Sequence, residues 1–342
     1  MNSLGAGRLV GLLVATGLGF GSACAVESSE DSRTRLLRSW GEQVIMPGYA
    51  EFRELSSALH QAAQGVCEQS PGSSLELTRD AWWEARRPWK RLEVLKFGPY
   101  IEFPDRWGSK IDFWPAREDK IEELLAGDDA ISAESLSGGG TLTRGLPVIE
   151  YLLYSMEAES FDATPRRCEM LVAATEDLVF LAGQMHDAWA PDSGDYLGEL
   201  TEAGLGSETF PIVKAALGEV LNRFGHTIEN IRVMKLQEPL GETADQANGG
   251  VLESRFSART HEDIRDNLRG IETLYLGDGS AATFDSVQDL LISYGIDYSV
   301  IFREHFDASM AAIDAIPEPL TSSVEDQRAS VQNAIEVLGE LQ

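Results

Sequence analysis

Basic residues are scarce in this chain. Its 342 residues hold 28 Lys+Arg against 56 Asp+Glu, so the formal net charge is −28. Nucleic acid and anionic membrane surfaces need a basic footprint, and the balance argues against both as partners. An acidic surface suits attraction of cations, although its ordinary role is solubility. Histidine is limited to His60, His186, His226, His261 and His305. None stands in a His-Glu-x-x-His pair and no two are four apart, so the helical zinc motif is missing. No Gly-x-Ser-x-Gly elbow is present. Gly138-Gly139-Gly140 lacks the Gly-Lys-Ser/Thr of a phosphate loop and reads as a flexible lead-in. Alternating strand patterns are nearly absent, as are Asn-Gly hairpin turns outside Asn248-Gly249-Gly250.

The first residues set the compartment. Arg8 is the only charge ahead of residues 9–20, which are apolar apart from small residues. Such a run is short for a membrane span and fits a signal-peptide core. Ala23-Cys24-Ala25 suits cleavage before Val26. Alternatively Cys24 becomes the lipidated first residue of a lipoprotein, with Gly21 where such signals usually carry Leu. Residues 1–25 are therefore read as a signal peptide. The mature chain is expected in the periplasm, with a membrane contact only through a lipid on Cys24, anchored to the outer membrane. Cysteine use agrees, because Cys67 and Cys168 are the only others. Two thiols in an oxidising compartment are expected to pair. Two buried, unpaired thiols are the alternative.

The rest reads as helix nearly throughout. Leu37, Trp40, Val44, Phe52, Leu55, Leu59, Ala62 and Val66 keep the helical period, interrupted at Pro47-Gly48. Further helices are expected over residues 75–97, ended by Gly98-Pro99, and over 163–189, 211–236, 261–276, 284–316 with a break near Gly295, and 320–341. Residues 191–208 and 238–250 are loop-like. Taking the first as a boundary gives an all-α chain of two helical-bundle lobes, 26–190 and 209–342.

Two segments carry candidate chemistry. On a helix Trp82, Arg86, Trp89 and Glu93 form one stripe, either a core seam with a structural Arg–Glu pair or a pocket wall. Pro88 lies inside it. Asp112, in Ile111-Asp112-Phe113-Trp114-Pro115, either caps a turn or joins a polar site. Thr143-Arg144-Gly145-Leu146-Pro147-Val148-Ile149-Glu150-Tyr151-Leu152-Leu153 puts a carboxylate one turn into an apolar helix. Burying Glu150 there is costly without a partner. It either sits near the positive helix end, or meets a metal, a cationic ligand, Arg144 or Arg86.

The second segment resembles the signature of the imelysin-like family of bacterial envelope proteins, Gly-x-His-x-x-Glu followed by Tyr-Leu-Leu. The resemblance covers nearly the whole mature length. It runs through Pro47-Gly48-Tyr49 with Phe52, Val66-Cys67, the Trp82–Trp89–Glu93 helix into Phe97-Gly98-Pro99, and Phe113-Trp114-Pro115. It continues with residues 145–153, Arg167-Cys168, and Glu253-Ser254-Arg255-Phe256-Ser257 ahead of Asn267. The resemblance implies an all-helical fold of two lobes, a cell-envelope location and a Cys67–Cys168 bridge. Some members are described as insulin-cleaving metallopeptidases, and others are linked to iron uptake or regulated by iron. It places a candidate site at Gly145, Pro147 and Glu150, with Arg86 and Glu93.

Pro147 stands where the family has His, and it cannot hold a metal through its side chain. A hydrolytic zinc needs three protein ligands and an open position, and only Glu150 of this motif remains. Carboxylates still suit a hard cation such as ferric iron or another divalent or trivalent metal. Three functions follow as expectations. The first is a non-enzymatic periplasmic binding protein for a small ligand or metal ion, working with other envelope iron-uptake proteins. Its cleft would be lined by Glu150, Arg86, Trp89 and Glu93, with Arg144 and Asp112 nearby. The second is a metallopeptidase, which requires His186 or His261 beside Glu150. The third is a scaffold whose interface around Glu150 is closed.

Overall fold

The computed structural model describes residues 29–68, 72–155, 165–277 and 284–342. Residues 1–25, read above as a signal peptide, lie outside them. Among the described residues every regular element is helical and none is a strand, as the periodicity predicts. No helix among them is long and apolar enough to cross a membrane.

Helix α1 (Ser29–Trp40) passes through a π-helical turn, Gly41–Ile45, into α2 (Met46–Glu68). Pro47 has no N–H to give the Gln43 carbonyl, so the helix widens its register there instead of stopping. Helix α3 (Gly72–Arg91) carries the Trp-Arg-Trp stripe, then tightens into a 3₁₀ turn over Leu92–Leu95 where a longer helix is expected. Three short helices, α4 (Trp107–Ile111), α5 (Glu118–Ala126) and α6 (Ala133–Gly138), lead to α7 (Leu146–Tyr154). Helix α8 (Pro165–Trp189) starts on its proline, and the expected start at residue 163 lies outside the described residues. After α9 (Tyr196–Thr201), α10 (Val213–Asn230) continues through a second π-helical turn, Ile231–Gln237, into α11 (Glu238–Leu240). Pro239 repeats the device, having no N–H for the Lys235 carbonyl.

Helix α12 (Thr260–Leu276) is followed by α13 (Val287–Ser293) and α14 (Ser299–Asp314). The break between these two falls at Gly295, as expected, at φ 77°. Helices α15 (Leu320–Asp326) and α16 (Arg328–Leu341) take the place of one expected helix, parted where Gln327 leaves helical angles at ψ 37°.

Helix α2 packs on α3 and α8, α3 on α12, and α14 on α16. Trp40, Tyr49, Phe52, Trp82, Trp89 and Trp189 are fully buried in the core. Each such side chain contributes about 1.5–3 kcal/mol by leaving water. Trp189 also meets Phe97 and Tyr196 edge-on, with centroids 5.5 and 5.0 Å away. Cys67, at the end of α2, is bonded to Cys168, at the start of α8, with Cα atoms 5.6 Å apart. The unpaired alternative is thereby set aside. Gly270 sets the distance between α12 and α3: a Cβ there would lie 2.1 Å from the Arg91 carbonyl oxygen. Only a glycine lets α12 come close enough to bring its polar residues onto α3.

Candidate functional site

Beneath that close approach lies a buried network of charge. Arg86, on α3, is 1 % exposed. Its guanidinium spans three carboxylates: Nε to Asp263 at 2.9 Å, Nη1 to Asp112 at 3.1 Å and Nη2 to Glu253 at 2.9 Å. Trp82 lies against it, 5.3 Å from ring centroid to guanidinium carbon. Lys90, one turn on, contacts Asp112 at 2.6 Å, Glu93 at 3.1 Å, and Glu253. Lys235, from the second π-helical turn, reaches Glu93 at 3.1 Å, Glu253 at 2.8 Å and the Asn267 side-chain oxygen at 2.6 Å. The Asn267 amide donates to Glu93 and to the Lys90 carbonyl, both at 2.7 Å. Trp89 Nε1 donates to Asp112 at 2.9 Å. Arg259 bridges Asp263 and Asp266. Lys96 meets Glu93 from the rim, and Arg91 meets Asp266.

Burial opposes the charges of Arg86, Lys90, Glu93, Asp112 and Glu253, and their neighbours outweigh it, whereas at Asp266 burial prevails and raises the pKa. Asp112, Asp263 and Glu253 lift the Arg86 pKa well above its usual value against the cost of burial. Lys235, Lys90 and Lys96 hold Glu93 well below the carboxylate range, again against burial. Asp112 is lowered in the same way by Arg86 and Lys90. Such a cluster is stable only when complete, because an unmatched buried charge is expensive.

Glu150 borders this network and is treated differently. Gly145, at φ 84°, starts α7, and a Cβ there would lie 2.4 Å from the Ile111 carbonyl oxygen. The glycine of the motif is thus required for packing. Gly145→Ala is expected to lose about 2 kcal/mol, seen as a lowered midpoint in urea unfolding. Pro147 occupies the first turn of the helix, where a missing N–H is harmless. Glu150 is buried, and one carboxylate oxygen accepts from the Ser257 backbone N–H and hydroxyl, both at 2.8 Å. Its pKa is pushed up to about 7. Burial is the main cause, and the Ser257 backbone bond and the Arg86 charge only partly offset it. Ser257 stands between Ser254 and Ala258, both at positive φ (49° and 58°).

The family model for imelysin, Peptidase_M75, matches residues 45–342. The chain belongs to the imelysin family. It is similar to iron-regulated protein A of Synechococcus elongatus, at 26% identity over 300 residues, which cover 86% of this chain and 79% of that protein. Two solved structures share the fold. One is an iron-regulated protein A precursor from Parabacteroides distasonis, with TM-score 0.79 and 20% identity over 91% of this chain and 92% of that one. The other is an imelysin-like protein from Psychrobacter arcticum, with TM-score 0.72 and 18% identity over the same shares.

Against the imelysin motif, the expected site residues divide. Arg86, Trp89, Glu93 and Asp112 come together, and Glu150 stands beside them in the field of Arg86. Arg144 points elsewhere, onto Asp177 of α8 at 2.8 Å. The Arg86–Glu93 pair expected within one helix does not form, because the 3₁₀ turn carries Glu93 to the lysines. The expected open cleft is filled: Arg86, Trp89, Glu93 and Glu150 are all buried. Glu93 and Asp112 border surface cavities, of about 230 and 150 Å³.

His186 is bonded to Arg53 and Asp187, and His261 Nε2 to the Ile316 carbonyl. Among the described residues no group of three His, Cys, Asp or Glu is arranged to hold a metal ion. The nearby carboxylates are engaged by guanidinium and ammonium groups instead. These residues do not fit the zinc of a peptidase.

Lys90, Lys235, Glu253, Asp263 and Asn267 belong to the site although their chemistry went unread in the sequence. The available signals were a lysine among the apolar residues Val233, Met234 and Leu236 and the four-residue spacing of Asp263 and Asn267.

Proposed function

We propose that the chain is a non-enzymatic binding protein of the cell envelope, associated with iron acquisition, in which Glu150 and the adjoining charge network form the ligand-responsive centre. One observation carries this reading. At the family's motif the fold keeps a buried carboxylate whose ionised form it compensates only in part, beside a network in which cations hold Glu93, Asp112 and Glu253 charged. A polar arrangement that costs stability is characteristic of sites kept for function. Binding would require Ser257 to withdraw, and the positive-φ residues on either side give that segment little intrinsic preference for its present shape. The iron association is drawn from the relatives, one of which is named iron-regulated protein A. Residues 9–20 and the Cys67–Cys168 bridge support export to an oxidising compartment.

The test is calorimetric titration of residues 26–342 with ferric iron, ferrous iron, zinc and heme, with Glu150→Gln in parallel. A saturable, stoichiometric heat that disappears in the variant is the expected result. Absence of heat with all four would remove direct metal and heme binding. It would favour the scaffold reading, which the complete burial of Arg86, Trp89, Glu93 and Glu150 supports.

A further inference from the structure

The chain has six lysines, and three of them, Lys90, Lys96 and Lys235, contact the single carboxylate of Glu93. That concentration is unexpected in a protein of net charge −28. It lies directly behind a surface cavity of about 230 Å³, lined by Glu93, Lys96, Arg223, His226, Thr227 and Asn230. The cavity is walled by α10 on one side and by the 3₁₀ turn after α3 on the other. Of the charged residues that line it, Lys96 and Arg223 outnumber Glu93, while Glu219 pairs with Arg223 at the rim and Asp112 and Glu253 match Lys90 and Lys235 behind Glu93.

From this geometry we infer that the cavity between α10 and the turn after α3 is a binding site for a small organic oxyanion, a polycarboxylate or a phosphate ester. Lys96 has three donor hydrogens and gives one to Glu93. Arg223 commits Nε and one Nη to a single oxygen of Glu219, which leaves its second Nη for a ligand. His226 stands 3.8 Å from Glu229 at the rim and is largely exposed. Thr227 and Asn230 supply neutral donors one helical turn from Arg223 and His226. Glu219 and Glu229 compete for these groups at the rim. An anion seated deeper than either meets Lys96 and Arg223, where partial burial weakens screening. The volume holds a ligand of about ten to fifteen heavy atoms, below the drug-sized range. The site shares Glu93 with the charge network proposed above but does not include Glu150, and it stands whether or not Glu150 binds anything.

The experiment uses citrate and inorganic phosphate as probes, titrated into the metal-free mature protein by calorimetry at low and moderate salt. In parallel the five histidine ring signals are followed by NMR. Saturable binding that weakens with salt is expected, with His226 signals moving and those of His60, His186, His261 and His305 still. Lys96→Gln with Arg223→Gln should weaken binding about tenfold or more. Lys96→Gln leaves Glu93 with Lys90 and Lys235, so unfolding midpoints should stay close to the parent. Glu150→Gln should bind the probes normally, which separates this site from the one proposed above. A preference for citrate identifies a polycarboxylate ligand, and a preference for phosphate a phosphate ester. The inference is overturned by no saturable binding of either probe, by movement of histidines other than His226, or by equal weakening in the exposed control Arg117→Gln.

Discussion

Replacing Lys235 by Met is expected to destabilise the protein by about 3–5 kcal/mol, the range seen when one partner of a buried ion cluster is removed. Lys235 is fully buried and touches Glu93, Glu253 and Asn267. Methionine fills most of the space but leaves the buried Glu253 and Glu93 with one ammonium fewer. Urea unfolding at pH 7 measures the loss. Adding Glu253→Gln to the same variant should recover part of it, because the uncompensated charge is then gone, and the four-way cycle reads the coupling directly. A Lys235→Met variant within about 1 kcal/mol of the parent would show that the network contributes little to holding α3, α10 and α12 together.

Buried ion clusters are seldom the most stable way to fill a core, and well-packed apolar side chains of similar volume often do as well or better. The cluster here joins residues far apart in the chain: Arg86 and Asp263 are 177 positions apart, and Lys235 and Glu93 are 142. It specifies how the helix α3 meets α12 and the π-helical turn, and a shifted register would strand several charges at once. Gly270 serves the same end by letting the α12 backbone approach the Arg91 carbonyl.

This distance explains what was legible in the sequence. Helix positions follow from local apolar spacing and from Pro and Gly, so most elements and the break at Gly295 could be read directly. The π-helical turns could not, since a proline signals only a lost hydrogen bond and not how the backbone accommodates it. The stripe of Trp82, Arg86 and Trp89 was visible because its members share one helix. Its partners were not, because Glu253, Asp263 and Lys235 come from other elements and no local pattern says which charges will meet. Arg144 shows the reverse error: proximity to Glu150 in sequence suggested contact, while the extended backbone at Arg144, φ −143° and ψ 170°, precedes the turn at Gly145 and the side chain reaches Asp177.

Glu150→Gln is expected to make the protein more stable than the parent at pH 8, by about 3 kcal/mol, and to leave it unchanged near pH 4. The folded-state pKa of Glu150 is about 7 against an ordinary value of 4.5. A carboxylate raised in this way is fully favourable to the fold below pH 4.5, and its contribution is lost as pH rises to about 7. Glutamine keeps the oxygen that accepts from Ser257 and never ionises, so it escapes the penalty. Glu93, Asp112 and Glu253 act in the opposite sense. Their pKa values are lowered, so their contribution is present above the ordinary carboxylate range and fades only as pH falls below it. The two effects occupy different pH windows, and the parent-minus-variant difference between pH 5 and 8 isolates Glu150. Urea unfolding across that range makes the measurement. A variant that gains stability and loses ligand would mark Glu150 as a residue kept at the expense of the fold. A variant with no gain at pH 8 would mean that the folded chain already compensates the charge, and the reading of Glu150 as a ligand-responsive centre would lose its physical basis.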